Sequence, residues 1–568
     1  MYGYSNHARD NATIKEVPSK EIYKNYFEVD FLAETKQYYE TEAQNLIRGV
    51  TCSEYIKQAE KRLNEEKDRL GFYLDSSTEQ PLISVFISAY IIQNCKALVE
   101  MENTGLLFLL QEEKYDEIKR MYKLFISSNE SFELFLKSIT AFINKNLETL
   151  VSEEENKKDA LKTVENIIEF HSKVMRILKS ALDVDTKQQR HFHKIVKDTF
   201  EFWLNKNQSL SFNLNQYIDY CLRTSFISKS EVEIDQGLNK IIEIFKFLNN
   251  KDLFEKFYKN FLSNRLLHDK SLSEDYEKSM IEKLRKECGP FYTSKLEIMF
   301  KDITISKQTM SDFLTWYVTK QEKTSTPLDI DIRILTQGSW PISEITSCTL
   351  PQEVKPFITQ YSMFYLKNNM GKNITWATNY GTAQVRANYA EKKKEFVMTT
   401  HQMCVAVLFN EKTKFSVDEI QRMTQIPFDE LKICIEAMLA IKLFINESNG
   451  TDITNRDVIA YNPDFTHKSY KIKVPEKRKK GIDKNVEETL VQSVQLERKH
   501  AVEAAIVRIM KSRRLMEHTQ LVEEVIKYSS INQFTPDVPF IKQVIENLIS
   551  REYLDRSADN RNVYVYLS

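Results

Sequence analysis

The sequence predicts a mainly α-helical, multidomain protein: an elongated stalk of stacked helical units, then a small sheet, then two winged-helix domains. Three observations carry that reading. The 568 residues include only 11 Gly and 12 Pro while Lys, Glu, Leu and Ile abound, so few turns are encoded and long helices are expected. Apolar residues recur at helical spacing from Tyr23 to about Asn250. At Leu328 the apolar period drops from 3.6 to 2, the mark of a strand.

Composition narrows the function. Lys and Arg total 80 against 81 Asp and Glu, so no global field steers the protein to nucleic acid or to a membrane. The cysteines (Cys52, Cys95, Cys221, Cys288, Cys348, Cys404, Cys434) stand singly with no Cys-x-x-Cys pair, which argues against zinc and against a disulfide framework. They read as buried, reduced thiols. The N-terminus is polar, with no apolar core of a signal peptide, and the run Leu82 to Ile92 is too short to cross a bilayer. A soluble intracellular protein without metal or cofactor is expected.

Residues 1–20 carry no periodic pattern and read as a mobile lead-in. From Tyr23 the seams are aromatic and aliphatic: Phe27, Phe31, Tyr38 and Tyr39, then Ile56, Leu63, Leu70 and Tyr73-Leu74. Stripes of that kind pack helix on helix rather than line a ligand site. Pro81, Gly105, Asn129 and the acidic stretch Val151–Glu155 are expected breaks, and stacked units of this kind build a stalk. Further on, Gly289-Pro290 reads as a helix stop, with Thr293 or Ser294 capping the next helix. His268 and Cys288 have no catalytic partner at useful spacing.

Leu328, Ile330, Ile332 and Ile334 alternate with Asp329, Asp331 and Arg333, a half-buried strand ending at the turn Gln337–Pro341. Ile374–Ala377, Gln384–Asn388 and Phe396–Thr399 are further candidate strands. His401–Ile445 reads as a winged helix: an apolar helix through Leu408, a capping box at Ser416–Glu419, a helix Phe428–Lys442, and a strand Leu443–Asn446 returning through Val458–Tyr461. Residues 486–568 repeat the plan, with helices Thr519–Tyr528 and Pro539–Arg551 and a wing of Tyr553–Arg556 and Val563–Leu567.

The helix that opens this last domain holds the most specific feature of the chain. Val502, Ala505, Ile506, Ile509 and Met510 fall at i, i+3, i+4, i+7 and i+8, one apolar stripe. At about 100° per residue Lys511 lands at about 180° from it and points at solvent. Ala504 and Val507 share its face, and Arg508, Arg513 and Arg514 flank it. Taken by spacing alone this is a solvated basic face.

Ile506-Val507-Arg508-Ile509-Met510-Lys511 resembles the C-terminal signature of the cullins, the scaffold subunits of RING-type ubiquitin ligases. The resemblance implies that Lys511 accepts a Nedd-type ubiquitin-like modifier. It extends to Tyr26-Phe27-Glu28, Phe31-Leu32, Thr35, Tyr38-Tyr39 and Glu42, similar to the opening of the second cullin repeat, and to Lys251–Phe254, Arg265–Leu267, Tyr292–Leu296 and Met299–Ile303, similar to the four-helix bundle of the cullin homology region. The cullin-1/Cdc53-like type is the expected relative. The match begins one repeat late, and the missing repeat is the one that grips the substrate adaptor, so the adaptor stays open.

The organisation implied is cullin repeats over 21–212, a four-helix bundle over 213–328, an α/β RING-binding sheet over 329–400, a first winged helix over 401–475, a basic linker over 476–485 and a winged-helix neddylation domain over 486–568. The sheet is implied to take a strand from a RING-box protein, with Ile332, Ile334, Leu335 and Trp340 at the contact; an ordinary sheet closed by its own helices is the alternative. Lys468, Lys471, Lys473, Lys477, Arg478, Lys479 and Lys480 form a local basic cluster, either a solvated linker or a surface that attracts the ubiquitin-conjugating enzyme. The implied partners are the RING-box protein, that conjugating enzyme and the Nedd-type modifier with its conjugation machinery, in cytoplasm and nucleus. Catalysis would come from proximity, the chain itself making no bond.

Two rival functions compete with this reading. Winged helices often read DNA, but the exposed positions of Phe540–Ile549 mix Lys542 with Glu546, a poor match to phosphate or base readout. A thioester-forming cysteine enzyme would need a thiol beside a His and an acid, and no such local motif is present.

Overall fold

The computed structural model describes residues 23–567 apart from 152–158, 182–185, 208, 322–327, 343–344, 390–391, 448–452, 476–481, 532–533 and 558–559. The expected lead-in and most of the Val151–Glu155 break lie outside the described residues. The chain divides into two compact units, Met1–Tyr217 with Gln236–Asn249, and Ile218–Asp235 with Asn250–Ser568.

The first unit is helical. It runs through α1 (Val29–Gly49), α2 (Cys52–Tyr73), α3 (Glu79–Phe86), α4 (Cys95–Glu100), α5 (Leu106–Gln111), α6 (Tyr115–Phe125), α7 (Asn129–Val151), α8 (Ala160–Ala181) and α9 (Thr186–Lys206). Helices α10 (Leu210–Tyr220) and α11 (Glu231–Lys246) each include the division between the units. A capping box starts α2, where Thr51 Oγ1 accepts from the Glu54 amide at 3.3 Å and the Glu54 carboxylate from the Thr51 amide at 3.1 Å. The seams hold Tyr39, Tyr55, Ile56 and Tyr90 in the core, with the Tyr55 hydroxyl donating to the Tyr90 carbonyl at 2.7 Å. Phe27, Tyr38 and Tyr73, expected in those seams, stay exposed, Phe27 stacked on Phe31 and Tyr38 edge-on to Tyr39 at the margin of the core. The apolar run at Leu82–Ile92 belongs to a helical stretch of 25 residues, Ser76–Glu100, long and apolar enough by length alone to cross a membrane. Leu82, Phe86, Ala89 and Tyr90 are instead fully buried inside the unit. Gly105 is obligatory between α4 and α5, since a Cβ there would lie 2.6 Å from the Val99 carbonyl oxygen.

The second unit opens with α12 (Lys251–Leu267), α13 (Glu274–Cys288) and α14 (Pro290–Gln321). Arg265, 1% exposed, ties α12 to α13 and α10: its guanidinium donates to Glu277 at 2.6 and 3.0 Å and to Asp219 at 2.8 Å. Gly289 ends α13 at φ 86°, where a side chain would be strained. The next helix begins at once with Pro290, so Thr293 and Ser294 are inside it and do not cap it as expected. Proline presets the first helical φ and needs no cap for the amide it lacks.

The alternating segment Leu328–Ile334 forms no strand, a correction to the reading by period. Its backbone is held by side chains of α14: Ser306 Oγ accepts from the Ile334 amide at 2.7 Å, and Asp302 accepts from the Thr336 amide at 2.8 Å and from the indole of Trp340 at 2.8 Å. Ile332 is buried against Phe313, Phe357 and Tyr361 of α14 and α15 (Lys355–Asn368), with Ile330 and Ile334 beside it. Ile374–Ala377 likewise forms no strand; Ile374 and Trp376 pack on the same cluster and a 3-10 turn follows.

Three small sheets follow. β1 (Thr382–Tyr389) and β2 (Lys392–Thr399) pair antiparallel from Thr382↔Thr399 to Tyr389↔Lys392. The third strand is β6 (Lys471–Lys473), parallel to β2, so this sheet takes a strand from beyond the expected boundary at residue 400. Between them the first winged helix folds as read: α16 (Thr400–Leu408), β3 (Lys414–Ser416), α17 (Val417–Thr424) behind its Ser416–Glu419 capping box, α18 (Phe428–Ala440), β4 (Phe444–Asn446) and β5 (Val458–Tyr461), in sheet order β3-β5-β4. The last domain repeats it with α19 (Ile482–Arg513), β7 (Leu515–Glu517), α20 (His518–Ile531), α21 (Val538–Ser550), β8 (Leu554–Arg556) and β9 (Val563–Tyr566), in order β7-β9-β8. Residues 482–485, expected as linker, are already helix.

Candidate functional site

The last three turns of α19 are anchored mainly on one side, although Val507, expected on the outward face, is half-buried against the same core. Val502, Ile506 and Met510 are 0% exposed within a core shared with Leu521 and Val525 of α20, Val544 and Leu548 of α21 and Tyr564 of β9. Ala505 is buried with them and Ile509 half-buried. Burying three such side chains contributes roughly 5–8 kcal/mol to holding the helix in place. Lys511 is on the opposite, exposed face, as the helical spacing requires.

The cations around it are engaged elsewhere. Arg508 donates to the Tyr528 hydroxyl at 2.9 Å, Arg513 pairs with Glu524 at 3.3 Å, and the Arg514 guanidinium stacks 5.7 Å over the Tyr566 ring. Among the described residues Lys511 makes no hydrogen bond or ion pair. Arg514 closes the helix in the left-handed region, φ 67°, with its amide donating to the Met510 carbonyl at 2.8 Å. A non-glycine residue there costs about 1 kcal/mol, and the Tyr566 stack together with the Tyr566 amide bonded to its carbonyl at 2.9 Å offsets it. The lysine thus projects from the last turn of α19 with its side chain exposed.

Sequence reasoning missed what holds α19 farther back. Arg498 forks onto Asp252 at the start of α12, with Nε and Nη2 each 2.6 Å from a carboxylate oxygen, and Nη2 also reaches Asn250 at 3.0 Å. Its guanidinium stacks 5.1 Å from the Phe534 ring. Partners so far apart in the chain leave no local signal.

The four residues expected at a RING contact are not gathered on a surface. Ile332 and Trp340 are buried in their own chain, and Ile334 and Leu335 are half-buried. What the structure does present is a free edge: among the described residues β1 has no neighbour on its outer side, in sheet order β1-β2-β6. Of the basic cluster, Lys471 is exposed and lies 3.7 Å from Glu395, Lys468 and Lys473 are exposed, and Lys477, Arg478, Lys479 and Lys480 lie outside the described residues. On α21, Lys542 and Glu546 both face solvent, and Arg556 pairs with Glu546 at 2.5 Å, which leaves that helix no uniformly basic face for DNA.

The cysteine reading needs correction. Cys348 Sγ lies 3.6 Å from Cys404 Sγ, and one turn before Cys404 on α16 stands His401, whose Nδ1 is 3.1 Å from a Glu430 oxygen. A thiol, an imidazole and a carboxylate do converge, brought together by folding rather than by a local motif.

Comparison with known proteins agrees over nearly the whole length. Residues 5–310 match the Cullin alpha solenoid domain, 334–465 the Cullin alpha+beta domain and 497–560 the Cullin protein neddylation domain. Cullin-3 of Dictyostelium discoideum is 34% identical over 97% of this chain and 75% of that protein. Cullin-3A of Arabidopsis thaliana is 35% identical over 96% and 74%, and Cullin-4A of Mus musculus 34% over 96% and 70%.

Proposed function

The chain belongs to the cullin family, and from that premise we propose that it is the scaffold of a RING-type ubiquitin ligase, switched by a Nedd-type modifier joined to Lys511. What supports the assignment of the residue is that, within the neddylation-domain match, Lys511 closes the run Ile506–Lys511 that resembles the family signature. It is an exposed amine, without a partner among the described residues, on a helix whose other face is fixed in a core. Lys527 and Lys542 are exposed as well, and the motif separates Lys511 from them. An isopeptide acceptor has to present a neutral amine to a charged conjugating enzyme at the moment of attack, and a rigid exposed turn presents it at low entropic cost.

The scaffold holds a RING-box protein and, through it, a ubiquitin-charged conjugating enzyme. The free edge of β1 supports the addition of a strand, since it offers backbone groups to a partner. The chain makes no bond itself, and rate is gained by proximity. Lys471 and Lys473 on β6 add an exposed positive edge that raises the encounter rate of an acidic partner. Proline substitution along Gln384–Asn388, read by co-purification of a co-expressed RING-box protein, tests the docking edge. Alternate positions along a strand point their N–H groups outward, so every second proline is expected to release the partner while β1 and β2 stay paired. Full retention at all of these positions would place the docking edge elsewhere.

A further inference from the structure

The cysteine cluster lies outside everything assigned so far. The segment leading to α15 is pinned at Thr346 and Thr349 to the first winged helix: the Thr349 amide donates to the Thr424 carbonyl at 2.7 Å, and Thr346 Oγ1 to Glu430 at 3.0 Å. This pinning sets Cys348, half-buried, against Cys404 of α16, which is 3% exposed. His401, one turn before Cys404, is 4% exposed and held on both sides, Nδ1 by Glu430 and Nε2 by the Thr378 hydroxyl at 3.2 Å. Thr378 is in turn bonded to the Thr346 carbonyl at 2.9 Å. Two thiols from separate segments are therefore in contact beside a fixed imidazole, one within reach of solvent and one buried behind it.

We propose that Cys348 and Cys404 form a redox-responsive dithiol, in which a hydroperoxide oxidises Cys348 and Cys404 resolves the product as an intramolecular disulfide. The Cys348 thiolate attacks the peroxide, the O–O bond breaks, and the sulfur becomes a sulfenic acid as an alcohol leaves. Cys404 then loses its proton and its sulfur attacks Cys348; the S–O bond breaks and the hydroxide departs as water. Two thiols lose two electrons, and the peroxide ends as one alcohol and one water. The order of roles follows from the surroundings. Cys348, the more exposed of the two, is held below the ordinary thiol range, first by its contact with Cys404 and then by the nearby His401 and Thr378, while Cys404 is pushed up by the same contact and by burial. Cys288 supplies an internal reference, half-buried like Cys348 but pushed up to about 11 by burial. The disulfide would fasten the segment before α15 to α16.

The test uses the full chain. Brief alkylation with iodoacetamide at neutral pH is expected to label Cys348 at least tenfold faster than Cys288, because only the thiolate reacts. After hydrogen peroxide, a non-reducing digest is expected to contain a peptide pair joined through Cys348 and Cys404, lighter by two hydrogens. Cys404→Ser is expected to leave a sulfenic acid on Cys348 that dimedone captures, and Cys348→Ser to leave Cys404 unoxidised. Equal labelling of Cys348 and Cys288 overturns the proposal. So does a peroxide-treated wild-type chain in which Cys348 and Cys404 both remain alkylatable, or a bridge to a different cysteine such as Cys434.

Discussion

Replacing Arg498 by Ala removes the fork that fastens α19 to α12. Two charge-assisted bonds of 2.6 Å to Asp252 and one of 3.0 Å to Asn250 are lost. The two side chains are 21% and 22% exposed, so the pair is neither a free surface bridge nor a dry one. Surface pairs contribute up to about 1 kcal/mol and buried pairs cost about 3–5 when broken; a value near 2 kcal/mol is expected here. The single substitutions do not isolate it, because Asp252 also accepts from the Leu253 amide at 2.8 Å in the first turn of α12. Asp252→Ala therefore loses a first-turn acceptor too, worth about 0.5–1 kcal/mol. A double-mutant cycle subtracts that contribution. Native-state hydrogen exchange of the amides around residue 498 and in the first turns of α12 reads the opening directly. A coupling of about 2 kcal/mol corresponds to roughly thirtyfold slower exchange with the pair intact than with the interaction removed. The neighbouring Lys256–Glu497 bridge is too exposed to compensate, at 28% and 61%. A coupling under about 0.5 kcal/mol would mean that the fork does not hold the last domain, and that its apolar contacts alone do.

Two further outcomes follow from buried charges. Arg265→Met leaves the Glu277 carboxylate, 0% exposed, without its cation, while Asp219 keeps Arg223 at 3.0 Å, so the second unit is expected to lose about 3–5 kcal/mol in urea unfolding; a loss near zero would show that water already reaches the Glu277 carboxylate. His171 of α8 is packed edge-on against Phe200 and Phe247, and burial lowers its pKa from about 6.5 to about 4. The unfolded chain then takes the proton first, so stability is unaffected above about pH 6.5 and falls by about 3 kcal/mol as pH drops toward 4. His171→Phe is expected to flatten that stretch of the stability curve, and an unchanged slope would assign it to other groups.

The helix carrying Lys511 was legible because its evidence is local: an apolar stripe at i, i+4 and i+8 settles which face is buried, and the lysine at 180° follows. Both winged helices were legible for the same reason, as capping boxes such as Ser416–Glu419 and short strands lie next to one another in sequence. Leu328–Ile334 misled because a period of two reports alternating burial and not which groups bond the backbone; here the partners are the Ser306 and Asp302 side chains. Three-residue β6 crosses to a strand more than seventy positions earlier, a pairing that no local pattern encodes. The Arg498–Asp252 fork and the group of Cys348, His401, Cys404 and Glu430 were hidden for that reason too. Chemistry assembled from distant segments is visible only once the chain has folded.

The central claim is that one lysine carries the switch. The wild-type chain and Lys511→Arg are each incubated with a RING-box protein, a Nedd-type modifier and its activating and conjugating enzymes, and the products are read by gel mobility and by mass spectrometry of the isopeptide remnant. Arginine keeps the charge and removes the nucleophile. The wild-type chain is expected to shift by one modifier with the remnant on Lys511, and Lys511→Arg to show no shift while still binding the RING partner. Modification of Lys511→Arg to the wild-type extent, or a remnant on Lys527 or Lys542 in the wild-type chain, would contradict the account.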